Sequence, residues 1–165
     1  MELGKKIEIL LIDNQAASFH EPLEAILDVT SPDTEYVIRS TKDPQQSLGM
    51  IGEREIDVAL LGLDLSVCGD YEANRQVEQL KDSLPGMPEE KLGYRLLRYV
   101  KREMPQAKVI ILASYGMCGE EPLRETERAL EAGADGLVLK PFGMRELVVE
   151  IEKVLALESS ESSVS

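Results

Sequence analysis

Cysteine and histidine are scarce in this chain, and basic residues are outnumbered. Its two cysteines, Cys68 and Cys118, are too few for a disulfide scaffold and fit a reducing compartment. They fall in loops after the third and fourth expected strands, so a redox switch is conceivable if their Cα atoms come within about 7 Å, but two separate thiols is the simpler reading. The single histidine, His20, has no second histidine with which to form a metal or phosphotransfer pair and reads as a helix-surface residue. With 18 Lys and Arg against 31 Asp and Glu, the formal charge is -13, which opposes nucleic-acid binding and points to protein partners. No apolar run is long enough to span a membrane. The start, MELGKKIEILLID, lacks a signal-peptide core followed by a small-residue cleavage site, so the expected location is cytoplasmic.

What is present is an alternation of short apolar runs and amphipathic stretches. Ile7 to Ile12, IEILLI, reads as a central parallel strand ending at Asp13 and Asn14. Phe19, Leu23, Ile26 and Leu27 mark a helix over 18–29, with Pro22 expected in its first turn. EYVIR, from Glu35, is a second strand. Asp43 followed by Pro44 is a helix start, predicting a helix to about Arg54. DVALL, from Asp57, is a third strand. The stretch 71–90, with its charged EANRQVEQLKD and turn-rich LPGMPEE, reads as an insertion. It is expected to be a mobile flap, with few residues that reach the core. Leu92, Leu96, Leu97 and Val100 form one face of a helix that stops before Pro105. A fourth strand follows at Val109 to Leu112, and then a helix opened by Glu121 and Pro122. The pattern predicts an α/β fold, a three-layer doubly wound five-stranded parallel sheet of flavodoxin-like order 2-1-3-4-5 over residues 1–157. Residues 158–165, rich in serine and lacking an apolar face, are expected to be a disordered tail.

The stretch 131–147, EAGADGLVLKPFGMREL, organises the rest. Gly133 closes a helix, Leu137 to Leu139 form a buried strand, and Met144 opens the last helix. Lys140 is thereby delivered at the carboxyl end of a core strand, the edge where open parallel sheets bind ligands. Pro141 holds the backbone of Lys140 extended.

The run GADGLVLKPFGMREL resembles the end of the receiver domain of two-component response regulators, and the resemblance covers most of 5–157. It implies a stand-alone receiver, since the chain is too short for a receiver plus a conventional DNA-binding output domain. It also implies that Lys140 is the lysine that contacts a phosphoryl group.

Other positions depart from the family. Receivers pair two acids after strand one. Here LLIDNQ keeps Asp13 and replaces the second acid, the main metal ligand, with Asn14, so Asp13 and Asn14 are the candidates for holding Mg²⁺, with one negative charge fewer. Asp13 also reads as a cap for the following helix. If Asp57 matches the first Asp of strand three, the phosphoacceptor position is Gly62, which cannot be phosphorylated. A second register makes Asp64 a displaced acceptor, and a solvated loop carboxylate is its plainer reading. Strand length is better specified than loop length, which favours the first register. In VIILASYG, Ala113 takes the place of the hydroxyl residue and Ser114 that of the small one. A one-residue shift along a strand turns a side chain to the other face. The aromatic switch position is Leu137, and Tyr115 could stand in for it only loosely.

The resulting expectation is a non-enzymatic signalling domain with a degenerate acceptor site, working by regulated protein contacts with a sensor histidine kinase or a downstream target. A homodimer through helix 4, strand 5 and helix 5 is a further expectation. A phosphorylation-competent receiver using Asp64 is the alternative. A flavodoxin-like binder fits less well, because IDNQAASFHEP is poor in the glycines and hydroxyls that cradle phosphate.

Overall fold

The computed structural model describes residues 6–53, 55–63, 75, 79–80, 82, 84, 92–114, 122–140 and 142–164. Five strands, β1 (Lys6–Ile12), β2 (Glu35–Thr41), β3 (Val58–Gly62), β4 (Lys108–Ser114) and β5 (Gly136–Lys140), form one parallel sheet in the order β2-β1-β3-β4-β5. That is the topology the alternation of strands and helices predicts. Around it lie α1 (Ala16–Thr30), α2 (Pro44–Met50), α3 (Leu92–Glu103), α4 (Pro122–Ala132) and α5 (Met144–Val164).

The strands are near-continuous apolar runs because both faces are covered. On one face Ile9, Leu11, Val58, Leu60, Ile110, Leu112 and Val138 pack with Leu23 and Leu27 of α1 and with Leu147, Ile151 and Val154 of α5. On the other, Leu10, Ile12, Ala59, Leu61, Val109, Ile111 and Ala113 pack with Leu96, Leu97 and Val100 of α3 and Ala129 of α4. The parity of each strand residue thus decides which helices it meets.

The helix ends follow local chemistry. Asp43 caps α2 by accepting a hydrogen bond from the Gln45 N–H at 3.0 Å, with Pro44 at the start, as its sequence signals. The helix ends at Met50 and not near Arg54: Ile51 turns into the core and Gly52 takes a φ of 89°. Gly133, at φ 108°, closes α4. Its N–H donates to the Leu130 carbonyl while the Ala134 N–H reaches the Ala129 carbonyl, the paired bonds of a Schellman ending. α1 begins at Ala16, earlier than its apolar spacing suggests, because the Asp13 carboxylate and carbonyl receive the N–H groups of Gln15 and Ala16. Pro22 therefore lies inside the helix and not in its first turn. α5 runs to Val164, past Leu157, so the backbone expected as a tail from residue 158 continues the helix. No Gly or Pro interrupts it, and extending an existing helix needs no new nucleus.

Most of 71–90 lies outside the described residues, but two leucines there correct the expectation that few of its residues reach the core. Leu80 and Leu84 are buried and belong to the same cluster as Leu92, Tyr94, Leu96 and Leu97. Residues 79, 80 and 82 are helical, and Leu84 lies in a bend. Burying two leucine side chains contributes about 1.5–3 kcal/mol each. Arg95, itself buried, donates from Nη1 to the Leu84 carbonyl at 3.5 Å.

Candidate functional site

The carboxyl edge of the sheet holds the strand ends at which site residues were expected. Asp13 follows β1 and is 1% exposed. Its N–H donates to the Thr41 carbonyl at 3.2 Å, and its Oδ1 accepts from the Gln15 N–H at 2.8 Å. The carboxylate thus acts as a local cap for the entry to α1, whatever else it does. Asn14, next to it, is half-buried.

Gly62 is the last residue of β3. Ile12 pairs with Leu61 across β1 and β3, and Gly62 pairs with Leu112 of β4, so Gly62 shares its parity with Val58 and Leu60 on the α1–α5 face. Asp13 continues the parity of Ile9 and Leu11 on the same face. The strand does not open outward after Gly62. The Leu63 N–H donates to the Leu112 carbonyl at 2.9 Å, and Leu63 is buried in the opposite core.

The first turn of α3 closes on this point. The Gly93 N–H donates to the Leu63 carbonyl at 3.0 Å, and a Cβ on Gly93 would stand 2.6 Å from the Leu63 Cα and closer still to the Gly62 carbonyl oxygen. Only glycine permits this backbone approach. The contact was not legible in the sequence, although a glycine in the first turn of an otherwise regular helix is the signal that could have found it.

In β4, Ala113 pairs with Leu139 and is buried in the α3–α4 core at 1% exposure. It is packed among apolar side chains, away from the face that Asp13 and Gly62 share. Ser114 is the register partner of Lys140, and the two end their strands side by side. Pro141 lies outside the described residues, as do Asp64, Tyr115, Cys68 and Cys118. Leu137 is half-buried on the α3–α4 side.

The loop after β5 is held by an aromatic pair. Phe142 and Phe19 of α1 have ring centroids 5.2 Å apart at 45°. His20, one residue on, is not the plain helix-surface residue expected: its Nδ1 lies 2.6 Å from the Ser40 Oγ of β2, and its Nε2 lies 3.8 Å from the Glu24 carboxylate. No sequence spacing joins His20 to Ser40, because the pairing depends on how α1 crosses β2.

For a metal, the described part of this edge supplies one carboxylate, Asp13, and one amide, Asn14. Among the described residues no three His, Cys, Asp or Glu side chains gather into a metal-binding group. A hard divalent cation prefers more anionic oxygen than this.

No family model matches the chain, and no curated protein does. Solved structures do match in fold. The receiver domain of NtrX from Brucella abortus superposes with a TM-score of 0.61 at 20% identity, covering 90% of this chain and 98% of that one. A CheY-like response regulator receiver domain protein from Methanospirillum hungatei gives 0.60 at 21%, over 94% and 98%. A response regulator from Burkholderia pseudomallei, with a phosphorylated aspartic acid, calcium ion and citrate, gives 0.59 at 16%, over 96% and 75%. The fold is that of response regulator receiver domains.

Proposed function

We propose that this chain is a receiver-type signalling domain of a two-component system, acting through protein contacts, with a degenerate phosphoacceptor site. The observation that carries this reading is Gly62 at the end of β3, one residue past the Ile12–Leu61 register pair, with the backbone of Gly93 packed against its carbonyl oxygen. In the receiver resemblance that strand end carries the nucleophile. Glycine has no side chain to phosphorylate, and Asn14 takes the place of a metal ligand. These groups act on one transition state, so their combined loss removes most of its positioning and charge stabilisation. Asp13 and Lys140 remain as residues that shape the edge.

The test is intact-protein mass after incubation with acetyl phosphate and Mg²⁺, together with a beryllofluoride titration. No phosphoryl adduct is expected. A stoichiometric adduct lost in Asp64→Asn would overturn the degenerate-site reading and establish Asp64 as a displaced acceptor. The position of Asp64, two residues beyond Gly62, keeps that alternative in view. A purified protein that carried flavin absorbance would instead support a flavodoxin-like binder.

The partners that fit are a sensor histidine kinase or a downstream protein. The face of α4, β5 and α5 also fits a second copy of the chain: Leu130 and Val149, on the helices flanking β5, are 58% and 62% exposed. The net charge of -13 opposes a nucleic-acid partner. No helix among the described residues is long and apolar enough to cross a membrane.

A further inference from the structure

The contact between His20 and Ser40 joins three side chains whose chemistry the receiver reading does not use. Ser40 lies in β2, two residues beyond the buried Ile38 and so on the same side of the sheet, where α1 packs. It pairs in register with Leu11, one step below Asp13. His20 and Glu24 are four residues apart on α1 and share one helix face. The Ser40 Oγ is 2.6 Å from His20 Nδ1, and Glu24 Oε2 is 3.8 Å from His20 Nε2. A carboxylate on the Nε2 side favours the tautomer with its proton on Nε2, which leaves Nδ1 as the acceptor for the Ser40 hydroxyl proton. All three are accessible: Ser40 is half-buried, and the His20 and Glu24 side chains are 28% and 50% exposed.

We propose that Ser40 is a nucleophilic serine, with His20 as its base and Glu24 as a positioning residue, that accepts an acyl group from small activated acyl donors. The Ser40 Oγ attacks the carbonyl carbon and a new C–O bond forms. The bond to the leaving group breaks, the leaving group departs with its electron pair, and the Ser40 proton passes to His20 Nδ1. Glu24 faces the imidazolium that results. The product is an ester on Ser40, which replaces the hydroxyl that now bonds to His20 and thereby changes how α1 is tied to β2.

The test uses the full chain and p-nitrophenyl acetate, following p-nitrophenolate release, intact mass and the acetylated peptide. One acetyl group on Ser40 is expected. His20→Gln should slow its formation about 100-fold, the scale of a lost general base, and Glu24→Gln should slow it less. Ser40→Ala should abolish the adduct while still giving a cooperative thermal transition. An acetyl group found only on other residues, or acetylation of Ser40 at an unchanged rate in His20→Gln, would overturn the proposal. Neither result bears on the receiver reading, which concerns phosphoryl transfer at β3.

Discussion

Lys101 places its ammonium 2.7 Å from the carboxylate of Asp135 and 2.9 Å from the Ala107 carbonyl, tying the last turn of α3 to the amino edge of the sheet. The same carboxylate oxygen accepts the Val109 N–H at 2.9 Å, and the Asp135 N–H returns a bond to the Val109 carbonyl at 2.8 Å. Asp57, just before β3, repeats the arrangement. It accepts the Glu8 N–H at 2.8 Å and donates its own N–H to the Glu8 carbonyl at 2.9 Å. In both cases an aspartate just before a strand satisfies the backbone of its neighbour, where the ladder would otherwise begin with an open donor.

Asp135→Ala should therefore destabilise the fold by about 1–3 kcal/mol, since it strands a half-buried N–H and an ammonium together. Asp135→Asn, which keeps an acceptor oxygen, should cost less. Urea midpoints at constant slope measure both. Equal losses would show that the carboxylate charge, and not the hydrogen bond to Val109, dominates.

Leu84→Ala and Leu80→Ala should each cost about 2–4 kcal/mol, because both side chains are buried in the cluster around α3. Excising the segment that carries them should weaken or abolish the cooperative thermal transition. A deletion variant that melts like the wild type would return the segment to the role of a detachable flap.

Gly93→Ala tests the closure over β3. The new methyl would meet backbone and not a flexible side-chain tip, so a loss of about 1–3 kcal/mol is expected. Gly49→Ala makes the control, because a Cβ there meets nothing within 4 Å. Thermal melts of the pair should differ clearly. Matching melting temperatures would mean that the first turn of α3 can lift away from Gly62.

Gly62→Asp probes the metal question directly. It adds a carboxylate at the end of β3, the strand next to β1, after which Asp13 follows, so that two acids stand at one edge. The variant should lose stability without metal and regain part of it with millimolar Mg²⁺, while the wild-type melting temperature stays unchanged. A variant indifferent to Mg²⁺ would count against the receiver-type site.

Leu130→Glu and Val149→Glu address self-association. If a second copy covers the face of α4, β5 and α5, either change should lower the sedimentation coefficient measured for the wild type at high concentration. Unchanged profiles would remove that face as the contact.

The order of the strands, the two-sided burial of the sheet and the ends of α2 and α4 were written in local chemistry. Unbroken apolar runs such as IEILLI suit a strand covered on both faces, Asp43 and Pro44 set a helix start, and Gly133 sets a helix end. Ala113, expected to line the pocket, lies instead in the α3–α4 core, because the placement of β4 in the folded sheet decides which layer each of its faces meets. What only the tertiary structure decided were contacts between segments with no fixed spacing: Leu80 and Leu84 under α3, Gly93 against Gly62, Phe19 against Phe142, and Ser40 against His20. Periodicity reports which side of an element is apolar, but not which partner covers it. That choice depends on crossover paths and helix placement, which summed packing over the whole chain fixes and no single stretch encodes.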